Sequence, residues 1–147
     1  MAHKETIVYI PGVWDMLHVG HVAILERAKS IGDKLIVGVP TDEVVIEDKG
    51  RPPIITCADR AKMLNALKCV DLAVPYDKLE FINALKRFDV DILVTGSTWG
   101  SDKRHIESVE YMKNNGKRVI QFPYTNTTST TDIKRRVIEC MGAGQNT

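Results

Sequence analysis

The chain has 147 residues, of which 44% are hydrophobic and 27% are charged, and these proportions are ordinary for one soluble globular domain. Lys and Arg total 20 against 19 for Asp and Glu, so the overall charge gives no indication of binding to nucleic acid or to a membrane surface. The cysteines lack a CxxC spacing, and no leader or membrane-spanning run is recognisable, which together predict free thiols and a cytoplasmic protein.

Short apolar runs of strand length alternate along the chain with segments of helical spacing. The predicted strands are residues 6–10, 35–39, 71–74, 92–94 and 119–122. The predicted helices are residues 19–31, 58–67, 79–88 and 103–115, followed by a last helix marked by Ile133, Val137, Ile138 and Met141. This alternation is typical of βα units.

The strands are apolar throughout, which indicates that helices cover both faces of a parallel sheet. We therefore predict an α/β fold, namely a single doubly wound, Rossmann-like domain with a five-stranded parallel sheet. The domain is expected to span residues 1–147, with short tails at 1–5 and 142–147.

One predicted connection, residues 40–57, is longer than the others and highly charged. Connections of this length are usually functional lids or disordered segments. It carries Lys49-Gly50-Arg51, the densest positive cluster in the first half of the chain. A solvated surface loop and a functional lid remain equal alternatives at this point.

The segment WDMLHVGH, residues 14–21, links the first strand to the first helix. In an open parallel sheet, ligands bind at the carboxyl ends of the strands, and a helix N-terminus there favours anions. His18 and His21 would lie on one side of the first turn, and Gly20 would let a phosphate approach the backbone. A metal site lacks a third spaced ligand, and no serine or cysteine elbow indicates a nucleophilic triad. A purely structural histidine pair stays possible, but we favour phosphate contact.

A second hydroxyl-rich segment, residues 125–132, follows the fifth predicted strand and precedes the last helix. Ser129 followed by Asp132 resembles a capping box. The additional threonines exceed what a cap needs, and Lys134 and Arg135 would oppose the helix dipole unless an anion is bound. We favour a second phosphate-binding segment.

These two segments are similar to the signatures of the HxGH nucleotidyltransferase superfamily. GVWDMLHVGH resembles its G-x-F-D-x-x-H-x-G-H motif, and Ser129-Thr130-Thr131-x-Ile133 resembles its second signature. Between them, Lys49-Gly50, Arg60 and Val70-Asp71 are similar to the cytidylyltransferase branch, known from glycerol-3-phosphate and ethanolamine-phosphate enzymes.

The resemblance implies transfer of CMP from CTP to a small phosphorylated alcohol with release of pyrophosphate. A phosphate monoester has a second pKa of about 6, so it is already a nucleophile at neutral pH and needs no general base. Catalysis would then be in-line positioning and charge stabilisation, without a covalent intermediate. Mg²⁺ would be bound mainly by the nucleotide phosphates, with no protein side chain as a metal ligand. A homodimer is also implied.

The resemblance also assigns the site residues. His18 and His21 would hold the triphosphate, Asp15 would brace the loop, and Lys49 would reach the phosphates from the long connection. The implied catalytic residues are His18, His21, Lys49 and Arg60; the implied nucleotide-binding residues are Val13, Trp14, Asp15, Gly20, Gly96, Trp99, Thr127, Thr128, Ser129, Thr130 and Thr131; and Lys78 and Tyr124 would meet the acceptor.

The chain departs from the cytidylyltransferase pattern on the side that meets base and acceptor. Thr98 stands where an acidic residue is usual, and Tyr124 stands where an arginine is usual. Two alternatives therefore remain beside the CTP prediction: an adenylyltransferase that uses ATP on a sugar 1-phosphate or FMN, and a non-catalytic nucleotide-binding module.

Overall fold

The computed structural model describes residues 4–96, 102–123 and 129–144. This described part contains five strands and six helices, with two consecutive helices between β2 and β3. The strands are β1 (Ile7–Pro11), β2 (Lys34–Pro40), β3 (Leu72–Tyr76), β4 (Ile92–Thr95) and β5 (Arg118–Gln121). The helices are α1 (Val19–Ser30), α2 (Asp42–Lys49), α3 (Cys57–Asn65), α4 (Ile82–Arg87), α5 (Lys103–Asn114) and α6 (Thr130–Gly144).

The five strands form one parallel sheet in the order β3-β2-β1-β4-β5. The chain moves outward from β1 through β2 to β3, and then returns to the other side of β1 with β4 and β5. The strand order therefore reverses next to β1, which makes the loop after β1 the switch point of the sheet. The predicted α/β fold with a five-stranded parallel sheet is confirmed.

Helices cover both faces of the sheet. Alternate residues of each strand point to opposite sides, so the apolar strands present a hydrophobic surface on each face. On one face, Val8, Val37 and Val94 pack in a cluster that contains Leu25 of α1 and Leu64 of α3. On the other face, Tyr9, Ile36 and Leu93 pack in a cluster that contains Leu85 of α4 and Met112 of α5. Burying one such leucine stabilises the fold by roughly 1.5–3 kcal/mol.

Helix α2 lies inside the long connection, residues 40–57, for which the sequence analysis predicted no helix. The Thr41 side chain caps the helix by accepting a hydrogen bond from the Val44 N–H group at 3.3 Å. Gly50 ends the helix with a φ of 77°, a conformation that glycine adopts without a steric cost. The last helix is also longer than predicted, since residues 142–144 belong to α6 instead of a tail.

Aspartates organise the amino ends of the strands. Three of them directly precede a strand and accept a backbone N–H from the neighbouring strand: Asp33 from Thr6 (2.7 Å), Asp71 from Leu35 (2.8 Å) and Asp91 from Ile7 (2.9 Å). Lysines complete two of these contacts, with Lys29 at 2.6 Å from Asp71 and Lys117 at 2.9 Å from Asp91. At the amino edge of the sheet, polar side chains therefore satisfy the hydrogen-bonding groups of the strands and of one another.

The three cysteines are free, as predicted. Within the described ranges, no helix has the length and apolar character required to cross a bilayer.

Candidate functional site

The loop that follows β1 holds two non-glycine residues in the left-handed region, Trp14 with a φ of 60° and Met16 with a φ of 54°. Such backbone conformations cost on the order of 1–3 kcal/mol each and concentrate at functional sites. The Trp14 indole N–H donates to the Gly38 carbonyl oxygen at 3.0 Å. Gly12 makes room for this indole, because a Cβ there would lie 2.8 Å from a ring carbon of Trp14.

His18 and His21 cap the first helix reciprocally. The Nδ1 atom of His18 accepts a hydrogen bond from the Gly20 N–H at 3.1 Å, and the Nδ1 atom of His21 accepts one from the His18 N–H at 3.3 Å. The two rings stack with their centroids 3.8 Å apart. Because both Nδ1 atoms are acceptors, the proton of each neutral imidazole lies on Nε2. The pair therefore presents two N–H donors beside a helix N-terminus, and the HxGH motif acts locally as a capping box.

Both histidines are uncharged at neutral pH. Burial and the neighbouring His18 lower the pKa of His21 to about 4, although the Asp15 carboxylate opposes the shift. Burial also lowers the pKa of His18 from its usual 6.5. Neutral imidazoles keep their Nδ1 atoms free to accept the capping hydrogen bonds, so the ring orientation is fixed before any ligand arrives.

Asp15 and Thr130 join three segments that are distant in the chain. The Asp15 carboxylate accepts the N–H groups of Ile54 and Ile55 at 2.8 and 2.9 Å. The Thr130 hydroxyl donates to the Asp15 carbonyl oxygen at 2.8 Å. The start of α6 is therefore held against the loop after β1, and the two segments singled out by sequence share one cleft.

Arg60, predicted as a catalytic side chain, lies beneath the site and is only 1% exposed. Its guanidinium donates to the Ile55 carbonyl at 2.8 Å, to the Val13 carbonyl at 2.9 Å and to Asp42 at 2.9 Å. All three directions of the guanidinium are occupied by protein atoms. Arg60 thus fastens the loop after β1 to α2 and to the segment before α3.

A cavity of about 250 Å³ opens between these segments, and we call it the histidine cavity. The residues that line it include Val13, Trp14, Asp15, His21, Lys49, Arg51, Thr130, Thr131 and Lys134. Its cations come from the end of α2 and from the first turn of α6, which is the charge distribution expected of a polyanion site. Seven of the predicted site residues are brought together in this one wall.

Two cations of the histidine cavity were not among the predicted site residues. Arg51 belongs to the positive cluster noted in the long connection, and Lys134 is the lysine that would oppose the dipole of the last helix. In residues 4–96, 102–123 and 129–144, neither forms an ion pair. Arg135, which shares the first turns of α6, is instead bound to Asp132 and Glu139 at 2.7 and 2.6 Å.

A second cavity of about 240 Å³ also borders the loop after β1, and we call it the aromatic cavity. The residues that line it include Gly12, Val13, Asp48, Lys49, Tyr76, Phe81, Gly96, Arg104 and His105. Tyr76 and Phe81 meet edge to face with their centroids 5.7 Å apart, and His105 stacks on Phe81 at 6.1 Å. Val13 and Lys49 line both cavities, so a ligand could extend from one into the other.

The remaining predicted site residues have different locations. The Ser129 hydroxyl accepts the Asp132 N–H at 3.0 Å and so serves as a helix cap. Lys78 lines a separate cavity with Asn83 and Arg87, under α4. Four predicted residues lie outside the described ranges, namely Trp99, Tyr124, Thr127 and Thr128.

A metal site made of side chains is not found in the described part of the chain, where no group of three or more His, Cys, Asp or Glu residues could hold a metal ion. Both oxygens of Asp15 are already bound to backbone N–H groups, and Asp48 is paired with Arg104 at 2.9 Å. A cation in the histidine cavity would therefore need most of its ligands from a bound anion.

The chain is similar to several known proteins. The sequence profile of the family described as cytidylyltransferase-like matches residues 9–136. The chain is 37% identical over 143 residues to an FAD synthase of Pyrococcus abyssi, which covers 93% of this chain and 95% of that protein. It is 32% identical over 142 residues to the bifunctional protein HldE of Geobacter sulfurreducens, covering 96% of this chain but 29% of that protein.

A solved structure is also similar, the lipopolysaccharide core biosynthesis protein of Thermoplasma volcanium. The two structures superpose with a TM-score of 0.69 at 26% sequence identity, over 85% of this chain and all of the other.

Proposed function

Because the chain belongs to the cytidylyltransferase-like family of HxGH nucleotidyltransferases, we propose that it transfers AMP from ATP to a small phosphorylated acceptor, FMN or a sugar 1-phosphate, and releases pyrophosphate. The observation that carries this proposal is the histidine cavity. His21, Lys49 and Thr131 line one cleft at the switch point of the sheet, with His18 stacked on His21. This arrangement suits a triphosphate.

The choice of ATP replaces CTP, which the sequence motifs favoured. FAD is made by joining an adenylyl group to FMN, and FAD synthases match this chain over 95% of their own length. Thr98 and Tyr124, which depart from the cytidylyltransferase pattern, are compatible with this choice. The relatives thus support the ATP alternative more than a glycerol-3-phosphate cytidylyltransferase.

In the proposed reaction, an oxygen of the acceptor's phosphate attacks the α-phosphorus of ATP in line with the leaving group. The bond from the α-phosphorus to the bridging oxygen breaks, and its electron pair leaves with pyrophosphate. The Nε2–H groups of His18 and His21 would donate to the phosphate oxygens as charge develops there. Lys49, Arg51 and Lys134 would neutralise the pyrophosphate.

Arg60 has a positioning role in this proposal. Its hydrogen bond to the Val13 carbonyl at 2.9 Å and its ion pair with Asp42 hold the loop after β1 in position against α2. Mg²⁺ would be held by the triphosphate, since the nearby Asp15 carboxylate is used by the Ile54 and Ile55 N–H groups. The ion would add electrostatic stabilisation of the phosphates.

The experiment is a screen for pyrophosphate release by the purified protein. ATP and CTP are each supplied with Mg²⁺ and with FMN, a set of sugar 1-phosphates or glycerol 3-phosphate, and the nucleotide product is identified by mass spectrometry. We expect product with ATP and either FMN or a sugar 1-phosphate, and none from a His21→Asn control. Product from CTP and glycerol 3-phosphate would restore the CTP prediction, and no product from any pair would favour a non-catalytic module.

A further inference from the structure

The aromatic cavity contains an arginine whose position the proposed reaction does not yet use. Arg104 is the second residue of α5, and its side chain is 14% exposed. Its Nη2 atom lies 2.9 Å from Asp48 at the end of α2, and its Nε atom lies 3.3 Å from Asp102. The guanidinium carbon is 5.8 Å from the ring centroid of Phe81. The group is therefore held in one orientation in the cavity wall.

The position of this cavity relates it to the acceptor. If the triphosphate occupies the histidine cavity, an in-line attack requires the acceptor's phosphate to arrive from the opposite side of the α-phosphorus. The aromatic cavity is the neighbouring space, and Val13 and Lys49 belong to both walls. A phosphate there would lie among Lys49, Arg104 and the loop after β1.

Resting on the proposed function, we propose that Arg104 binds the phosphate of the acceptor and that this phosphate takes the place of Asp48 as the partner of the guanidinium. A guanidinium presents parallel N–H donors whose spacing matches two oxygens of a phosphate. Within the described residues, the buried Nε atom of Arg104 has no hydrogen-bond partner, so one donor is available before the exchange. Arg104 would therefore make the site selective for acceptors that carry a phosphate monoester.

The exchange leaves no carboxylate isolated. Asp48 is partly exposed, and its second oxygen lies 4.0 Å from the ammonium group of Lys49. When Arg104 turns to the phosphate, Asp48 can strengthen this contact or bind water. In this scheme Asp48 and the acceptor's phosphate compete for Arg104, and that competition separates the proposal from a purely structural ion pair between α2 and α5.

The test uses steady-state kinetics with whichever of FMN, glucose 1-phosphate and glycerol 3-phosphate is the best acceptor of the wild-type protein. Arg104→Gln is expected to raise the KM for that acceptor by about tenfold or more, since charge-assisted hydrogen bonds are lost, and to leave the KM for ATP within about twofold. Arg104→Lys should recover part of the loss, because it keeps the charge without the fork. Asp48→Asn should not raise the acceptor KM, because it removes the competing carboxylate.

The control is Lys103→Gln, which removes a positive charge from the same helix turn. The Lys103 side chain is 90% exposed and pairs only with Glu107 at 3.8 Å among the described residues, so its substitution should leave both KM values unchanged. Equal increases in acceptor KM for Arg104→Gln and Asp48→Asn would overturn the proposal, as would an unchanged acceptor KM in Arg104→Gln. Thermal unfolding of each variant identifies a folding defect, and Arg104→Lys then decides. An inactive wild-type protein would instead refute the proposed function.

Discussion

At the amino edge of the sheet, carboxylates bind lysines and backbone N–H groups, whereas at the carboxyl edge cations surround open cavities. Lys29 and Lys117 lie within 2.9 Å of Asp71 and Asp91. In the histidine cavity, Lys49 reaches Asp48 only at 4.0 Å. Charges of the same kind thus have different functions at the two edges: paired charges close the fold, and poorly paired cations remain available to an anion.

The largest expected effect is a loss of catalytic rate on substitution of His18, with little change in stability. His18→Asn keeps a side-chain acceptor at the helix cap but removes the Nε2–H donor. We expect kcat to fall by about 10²–10³, while the melting temperature stays close to that of the wild type. Pyrophosphate-release kinetics and thermal unfolding measure the two effects.

A normal rate in His18→Asn would contradict the role of the imidazole. His18→Ala provides the comparison, because it lacks the cap as well and should also lose about 1 kcal/mol of stability.

The second prediction concerns Arg60, a cation at the carboxyl edge that is nevertheless paired and structural. Arg60 belongs to the carboxyl edge, yet it is buried and fully hydrogen-bonded. Arg60→Met should lower the free energy of unfolding by roughly 3–5 kcal/mol, since the Val13 and Ile55 carbonyls and Asp42 lose a common partner. Urea denaturation measures this loss.

If Arg60 contributed to the reaction mainly through its positive charge, Arg60→Lys would retain activity. We expect Arg60→Lys to be impaired, because an ammonium group cannot reach all three acceptors at once.

A matched pair of lysine substitutions tests the comparison directly. Lys134→Gln removes a cation from the histidine cavity and should raise the KM for ATP about tenfold with little change in stability. Lys117→Gln removes a cation that lies between Asp89 and Asp91; it should lower the free energy of unfolding by about 1 kcal/mol and leave the KM unchanged. Kinetics and urea denaturation of both variants are required, and the same pattern in both would remove the distinction between the edges.

The last prediction concerns the pH dependence of the free energy of unfolding. The folded-state pKa of His21 is about 4, below its usual 6.5, so the unfolded state binds the proton more tightly. Its contribution to stability is complete above the usual pKa and is lost as the pH falls towards 4.

For Asp71 and Asp91, partial burial acts to raise the pKa, but hydrogen bonds from Lys29, Lys117 and backbone N–H groups outweigh it and lower the pKa. Their contribution is complete above the usual 3.8 and is lost only at lower pH. Unfolding free energies measured between pH 7 and pH 3 should therefore fall first through His21. His21→Asn should flatten the upper part of this curve, whereas Lys117→Gln should leave that part unchanged.

The strands and most helices could be predicted within a few residues, because buried parallel strands are continuous apolar runs and helix stops are marked by glycine. Helix α2 was missed because its sequence, DEVVIEDK, is mostly charged. Its signals were nevertheless present, in Thr41 as the N-cap, Asp42 and Glu43 in the first turn and Gly50 after the end.

The geometry of the candidate site follows from sequence where local contacts set it. His18 and His21 are placed by the helix cap that they form themselves, and the Asp15 carboxylate accepts the N–H groups of Ile54 and Ile55. The burial of Arg60 could not be predicted, because two of its partners are backbone carbonyls that only the tertiary fold brings together. The only signal for Lys134 in the sequence was a positive charge near a helix N-terminus, where the helix dipole makes a cation unfavourable.

The walls of the two cavities are held together by different numbers of contacts, and this difference affects how easily each wall can change its specificity. The wall of the histidine cavity is tied together by Arg60 and Asp15, so substitutions there would disturb several segments at once. In the wall of the aromatic cavity, the start of α5 is joined to α2, among the described residues, by the single ion pair of Asp48 and Arg104. A relative could therefore replace residues 48 and 104 together, and so change the chemistry of the aromatic cavity, while the contacts of Arg60 and Asp15 stay as they are.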